Sequence, residues 1–169
     1  CLIATHLYEF TKWLVEHDAD YNKIIDQLDK RYTGFVDTTR HSIDTSRLQW
    51  AGSPEAPVRI SAYVSSTCNL CKHIVGTLYD SVTTGSLKGK ARLMAIPFST
   101  GIGDMALFAA NSKGRFWQLF LEMRKNKIIY KEDDIIRMAK DAGIAEGEMK
   151  NLLKKPIFKQ MMKDARDEG

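Results

Sequence analysis

The stretch VRISAYVSSTCNLCKHIVGTLYD, residues 58–80, changes its hydrophobic period halfway along, and that change decides the fold. Residues 58–64 alternate and are rich in β-branched and aromatic types, with Pro57 in front and Ser65, Ser66 and Thr67 behind, which predicts a strand. From Cys68 onward the period becomes helical. Ile74, Val75, Leu78, Tyr79 and Val82 recur at three- and four-residue steps and stop before Gly85. Strand, tight turn and helix follow one another without a gap, and the pair Cys68 and Cys71 falls on the first turn of the helix.

A C-x-x-C at that position has a mechanical meaning. The first four N–H groups of a helix have no partner within it, and the positive end of the helix dipole favours a thiolate over a thiol. Cys68 is therefore the expected nucleophile, with its pKa below the free value of about 8.5. Cys71, one turn deeper on the same face, is the expected resolving thiol, placed to release whatever Cys68 captures. The residues between and just after the sulfurs tune this pair. Asn69 can donate a hydrogen bond and Leu70 cannot, while Lys72 and His73 are the nearest cationic candidates, with Lys72 expected as a partly solvated supplement to the helix terminus. The competing reading is half of a zinc site. Zinc needs two further ligands at suitable spacing, and Cys1, His6, His17, His41 and His73 form no second pair. No metal or organic cofactor is expected.

Working outward, residues 91–98 form a second apolar run after a turn containing Gly85 and Gly89, which predicts a parallel strand reached through the helix. Everything after Thr100 reads as helical. Apolar stripes run through Met105–Met123 and Asp133–Ala142, the latter stopping at Gly143, and one or two more helices follow to Arg166, with Pro156 starting the last. Phe116, Trp117 and Phe120 have helical spacing and read as core rather than as a groove. Gly101 and Gly103 lack the third glycine and following lysine of a phosphate loop. On the N-terminal side, Leu7, Phe10 and Leu14, then Tyr21, Ile24, Ile25, Leu28, Tyr32 and Phe35, mark two helices. They are separated at His17–Asp20, with an aspartate to cap the second. The domain reading is thus a helical hairpin over 1–36, a linker or wrapping segment over 37–56, and a C-terminal domain over 57–169 with helices from 103 onward.

Composition narrows the function classes. In a chain of 169 residues, 25 Lys and Arg are interspersed with 21 Asp and Glu, giving a net charge of +4 without a basic face. The densest basic stretch, Lys150–Lys163, alternates with apolar residues as a solvated helix face does, so nucleic-acid binding is not expected. No run approaches the length of a membrane span, and no leader pattern opens the sequence. Three cysteines are too few for a disulfide framework. Cys1 is open to three readings: a lipid-modified N-terminus, half of a lost upstream pair, or an accident of where the sequence begins. Membrane contact is expected only through a lipid on Cys1.

The segments GSPEAPVRISAYVSSTCNLCK, AANSKGRFWQLFLEM, KEDDIIRMAKDAGI and LLKKPIFKQMMKDARDEG together resemble the DsbA-like branch of the thioredoxin superfamily, over about two-thirds of the chain. Gly52, Ala56, Pro57, Cys68, Cys71, Lys72, Gly114, Phe116 and Trp117 match it position by position. The resemblance implies an α/β thioredoxin-like fold with a helical insertion, and dithiol–disulfide exchange with protein substrates and a redox partner outside the cytosol, in the periplasm or an equivalent space. Three departures stand out. Ala62 replaces the glutamate found beneath the cysteines in the family, Asn69 and Leu70 replace Pro-His, and the sequence reads as stopping before the family's proline loop and last two strands. Leu70 in place of histidine sets the expectation of a reductase or exchange role over a strong oxidant. A two-stranded sheet is poor by itself, so a second copy completing it is also expected. The hairpin, WLVEHDADYNKIIDQLDKRYTGFVD, more faintly resembles that of the cytochrome c maturation protein CcmH, and no site residue is carried over from it. Two alternatives to an oxidoreductase remain: a redox-inactive thioredoxin-like interaction module, and a zinc-stabilised binding domain.

Overall fold

The computed structural model describes residues 2–33, 43–126 and 130–168, and divides into two compact units, Cys1–Ser42 and Ile43–Gly169. In the first unit, α1 (Leu2–Glu16) and α2 (Tyr21–Thr33) form the expected pair. The connection is tight. Ala19 N–H donates to Leu14 O at 3.0 Å, and Asp18 takes φ 56°, a left-handed conformation that aspartate tolerates better than most residues. The expected cap of the second helix is Asp20, whose Oδ1 accepts from Lys23 N–H at 2.9 Å. Leu14 is buried and Ile24 and Leu28 are half-buried, but Tyr21, which the periodicity assigned to the apolar stripe, is exposed. Phe35 and the end of the hairpin reading lie outside the described residues, as do 37–42 of the linker reading.

The second unit is built on a three-stranded sheet ordered β1-β3-β2, with β1 Ala51–Gly52, β2 Val58–Val64 and β3 Ala91–Pro97. The two expected strands pair in parallel, Val58 opposite Ala91 through Val64 opposite Pro97, across the crossover helix α3 (Asn69–Thr83). The third strand is a correction to the linker reading. Ala51 and Gly52 pair antiparallel with Leu93 and Arg92, so β3 lies between two neighbours. Every residue of β3 except Arg92 is buried, which explains why the strand is nearly all apolar rather than alternating. Two residues of strand leave no period to read. The rest of the segment is wrapped onto the helices: Gln49 N–H donates to Asn111 Oδ1, Asn111 Nδ2 donates to Arg47 O, and Trp117 Nε1 donates to Gln49 O, each at 2.9 Å.

Five helices follow: α4 (Ile102–Asn111), α5 (Phe116–Lys125), α6 (Glu132–Asp141), α7 (Glu146–Leu153) and α8 (Pro156–Glu168). The stripe over Met105–Met123 is therefore two helices, not one. The chain breaks at Gly114, whose φ of +64° no continuing helix adopts and which glycine takes without steric cost. Helix α4 is buried from Gly103 to Ala110, which its apolar residues on every side require, and it packs against α5, α6, α7, α8 and β3. Phe116, Trp117 and Phe120 are core, with Phe116 and Phe120 stacked at 6.2 Å and Trp117 edge-on to both. The basic stretch from Lys150 has the expected form: Leu152, Leu153, Phe158 and Met162 are buried, and Lys154, Lys155, Lys159 and Lys163 are exposed.

Candidate active site

At the C-terminal end of β2 the chain turns through Ser65–Thr67 and enters α3, with Cys68 as the capping residue at φ −84°, ψ 102°. Its extended backbone leaves its carbonyl to accept the first helical bond, from Lys72 N–H at 3.0 Å. Its side chain does the work of a cap: Cys71 N–H points at Cys68 Sγ, 3.2 Å away. Cys68 and Cys71 are joined by a disulfide, with Cα atoms 5.2 Å apart. Both residues are half-buried, Asn69, Leu70 and His73 are exposed, and Leu70 is 55% exposed. When the disulfide opens, an anion on Cys68 already has an N–H donor aimed at it. The sulfurs are bonded to each other, and among the described residues no group of three or more His, Cys, Asp or Glu is placed to hold a metal ion.

Lys72 departs from expectation. It is 1% exposed, not a partly solvated supplement, because the turn of α3 that carries Cys71 points the next side chain into the helical layer. Its Nζ donates to Tyr130 Oη at 2.6 Å and to Asn126 O at 2.8 Å, and lies 4.8 Å from the centre of the Tyr130 ring. Burial pushes its pKa below the ordinary lysine value. Tyr130, 5% exposed, donates its hydroxyl hydrogen bond to Met123 O at 2.9 Å.

On the other side of the cysteines is a second buried polar group that the sequence did not disclose. Asp104, in the first turn of α4, is fully buried. Its Oδ2 accepts from the Ser66 hydroxyl and, at 2.7 Å, from the Ser99 hydroxyl, while Ser66 N–H donates to the same oxygen at 3.3 Å. Burial raises the Asp104 pKa, against the lowering effect of these hydrogen bonds. Burial and the Asp104 charge together raise that of Tyr130. The sequence signal for this close approach is Gly103. A Cβ at 103 would sit 2.5 Å from Ser66 Oγ and 2.9 Å from Tyr130 Cδ2, so only glycine lets both approach.

A linked cysteine pair capping the helix that follows the first of two parallel strands is matched by a family model described as thioredoxin, over residues 44–169. The chain belongs to the thioredoxin family. Solved structures with the same fold include a thiol-disulfide exchange protein, α-DsbA2, from Wolbachia pipientis (TM-score 0.61, 17% identity, covering 73% of this chain and 68% of that one). A thioredoxin-like oxidoreductase from Silicibacter pomeroyi aligns at TM-score 0.62 with 16% identity, covering 73% of each chain. DsbA from Chlamydia trachomatis aligns at TM-score 0.59 with 13% identity, covering 78% of each. No curated protein is similar enough in sequence to match. The thioredoxin family and its C-x-x-C disulfide support thiol–disulfide exchange as the general chemistry.

Proposed function

We propose that this chain is a protein thiol–disulfide oxidoreductase acting outside the cytosol, with Cys68 as nucleophile and Cys71 as resolving thiol. The observation that carries the reading is the Cys68–Cys71 disulfide at the cap of α3 with Cys71 N–H directed at Cys68 Sγ. In the oxidising direction a substrate thiolate attacks Cys68 Sγ, the bond to Cys71 breaks, and Cys71 leaves with the electron pair and takes up a proton. A second substrate thiolate then attacks the substrate sulfur of the mixed disulfide and releases Cys68 as thiolate. Two substrate thiols become a disulfide as the protein disulfide becomes a dithiol, and the reductase direction is the same sequence reversed.

Asn69, Leu70 and His73 are exposed close to Cys68 in sequence and are assigned to tuning it. Leu70 presents an apolar surface without a charge to stabilise the thiolate, which favours a reductase or exchange role over strong oxidation. The partners are protein thiols or disulfides and a protein that restores the redox state. The compartment is extracytoplasmic, where a disulfide persists. Residues 1–36 are assigned to docking or bracing.

Insulin reduction and oxidation of a dithiol peptide test this reading in the full chain. Cys68→Ser abolishes turnover, and Cys71→Ser accumulates a mixed disulfide with substrate. Activity that survives Cys68→Ser overturns the assignment of Cys68 as nucleophile, and no activity in the unmodified protein overturns the reading in favour of an interaction module. A reduction potential near about −120 mV, that of a strong oxidant, overturns the direction.

A further inference from the structure

We propose that Asp104 is a positioning residue for the release step of the exchange: it ties the turn that carries Cys68 to helix α4, and so keeps Cys68 within reach of Cys71 while a substrate sulfur is attached. The role deepens the redox reading of the pair and rests on it.

The two cysteines are held by different parts of the chain. Cys71 lies inside α3, whereas Cys68 is its cap and takes its place from the turn 65–67. Most bonds of that turn are local. Cys68 N–H donates to Ser65 O at 3.1 Å, Thr67 N–H donates to Ser65 Oγ at 3.4 Å, and the Ser65 and Thr67 hydroxyls are 3.0 Å apart. Such bonds shape the turn without fixing where it sits. Among the described residues, the only hydrogen bonds that join residues 65–67 to another element are those of Ser66 to Asp104, 38 positions along the chain.

The tie is built to last. Ser66 and Asp104 are both fully buried, so no water replaces a lost partner and breaking the contact leaves buried polar groups unpaired. Its far end is anchored as well, because α4 is buried from Gly103 to Ala110 and the Ser99 hydroxyl, just after β3, donates to the same Asp104 oxygen at 2.7 Å. Gly103 has no Cβ to keep Ser66 away. A single oxygen, Oδ2, accepts from the Ser66 hydroxyl, the Ser66 N–H and the Ser99 hydroxyl, a pattern that an amide oxygen in its place would keep.

While the disulfide is closed, the S–S bond itself holds the cysteines with Cα atoms 5.2 Å apart and the tie is redundant. It matters after capture. In the reducing direction Cys68 thiolate attacks a substrate disulfide, and one substrate sulfur leaves with the electron pair and takes up a proton. Cys71, as thiolate, then attacks Cys68 Sγ; the bond from Cys68 to the remaining substrate sulfur breaks, and that sulfur leaves with the electron pair and takes up a proton. The protein dithiol has become a disulfide and the substrate disulfide two thiols. Release is intramolecular and depends on how well Cys68 Sγ is presented to Cys71, where a misplacement of about 1 Å costs about 100-fold. Capture is bimolecular and depends on the exposure and acidity of Cys68, the latter only weakly.

The test mixes the reduced full chain, in excess, with dithiodipyridine, which frees one thiopyridone on capture by Cys68 and a second when Cys71 closes the disulfide. Asp104→Ala removes the acceptor and Ser66→Ala a donor; each slows the second phase about tenfold and leaves the first within about threefold. Asp104→Asn keeps an acceptor oxygen and Ser99→Ala leaves Ser66 held, so both keep the second phase within about threefold of the unmodified protein. Ser66→Ala carries the test if Asp104→Ala does not fold. A second phase unchanged in Ser66→Ala and Asp104→Ala overturns the proposal, as does slowing of both phases together or equal slowing by Ser99→Ala, which indicate packing. Slowing by Asp104→Asn to the level of Asp104→Ala also overturns it, since charge and not the tie then acts. If the unmodified chain frees no second thiopyridone, the redox reading itself fails instead.

Discussion

Single residues show how differently two buried glycines constrain this molecule. At Gly103 an added Cβ meets Ser66 and the Tyr130 ring, both fixed by other bonds, so Gly103→Ala forces α4 or the redox turn to move. The expected cost is about 1–3 kcal/mol in urea unfolding, with a shifted Cys68 alkylation rate. At Gly76 the obstacle is the Arg124 side chain, which is long and flexible and donates to Asp80. Gly76→Ala breaks that bond, but the helix gains about 1 kcal/mol from alanine, so stability stays within about 1 kcal/mol of the unmodified protein. The two outcomes together check whether Gly103 owes its identity to a close approach. Residue type made Cys68 and Cys71 legible. It did not show that Lys72 is buried, because a lysine beside an exposed cysteine reads as solvated until its neighbours in space are known.

At the scale of elements, α2 and α5 are stabilised by different means. The first turn of α2 depends on Asp20, whose carboxylate satisfies Lys23 N–H. Asp20→Ala is expected to cost about 1 kcal/mol of local stability, measured as faster amide exchange in residues 21–24 with no change at α3. Helix α5 is held by the aromatic cluster at its start, where Phe120 is fully buried between Phe116 and Trp117. Phe120→Ala is expected to cost about 3–5 kcal/mol in urea unfolding. The apolar period revealed both helices, and the aspartate in the break announced the cap. The division of α4 from α5 depends on Gly114 at positive φ. A stripe that stays in phase across residues 112–115 hides such a break.

For the whole molecule, the buried polar groups leave a mark on stability against pH. The native pKa of Asp104 is raised above its unfolded value of 3.8, so its native state binds the proton more tightly. Its contribution is fully present below pH 3.8 and is lost as pH rises through the native pKa. Asp104→Asn is therefore expected to become more stable relative to the unmodified protein as the pH is raised from 3 to 7, in urea titrations at about those two values. A difference that stays constant across that range excludes a raised native pKa for Asp104.

What the sequence determined by itself is the strand, turn and helix around Cys68, the parallel return of β3, and the cysteine pair that the structure joins. Those features depend on neighbours within one or two turns of chain, where period and dipeptide order carry the information. The tertiary structure alone decided that Ala51 and Gly52 add a third strand, that Lys72 turns inward to Tyr130, and that Asp104 holds Ser66. The two polar contacts join residues 58 and 38 positions apart, and that pairing is fixed only when the helices pack and exclude water from between them.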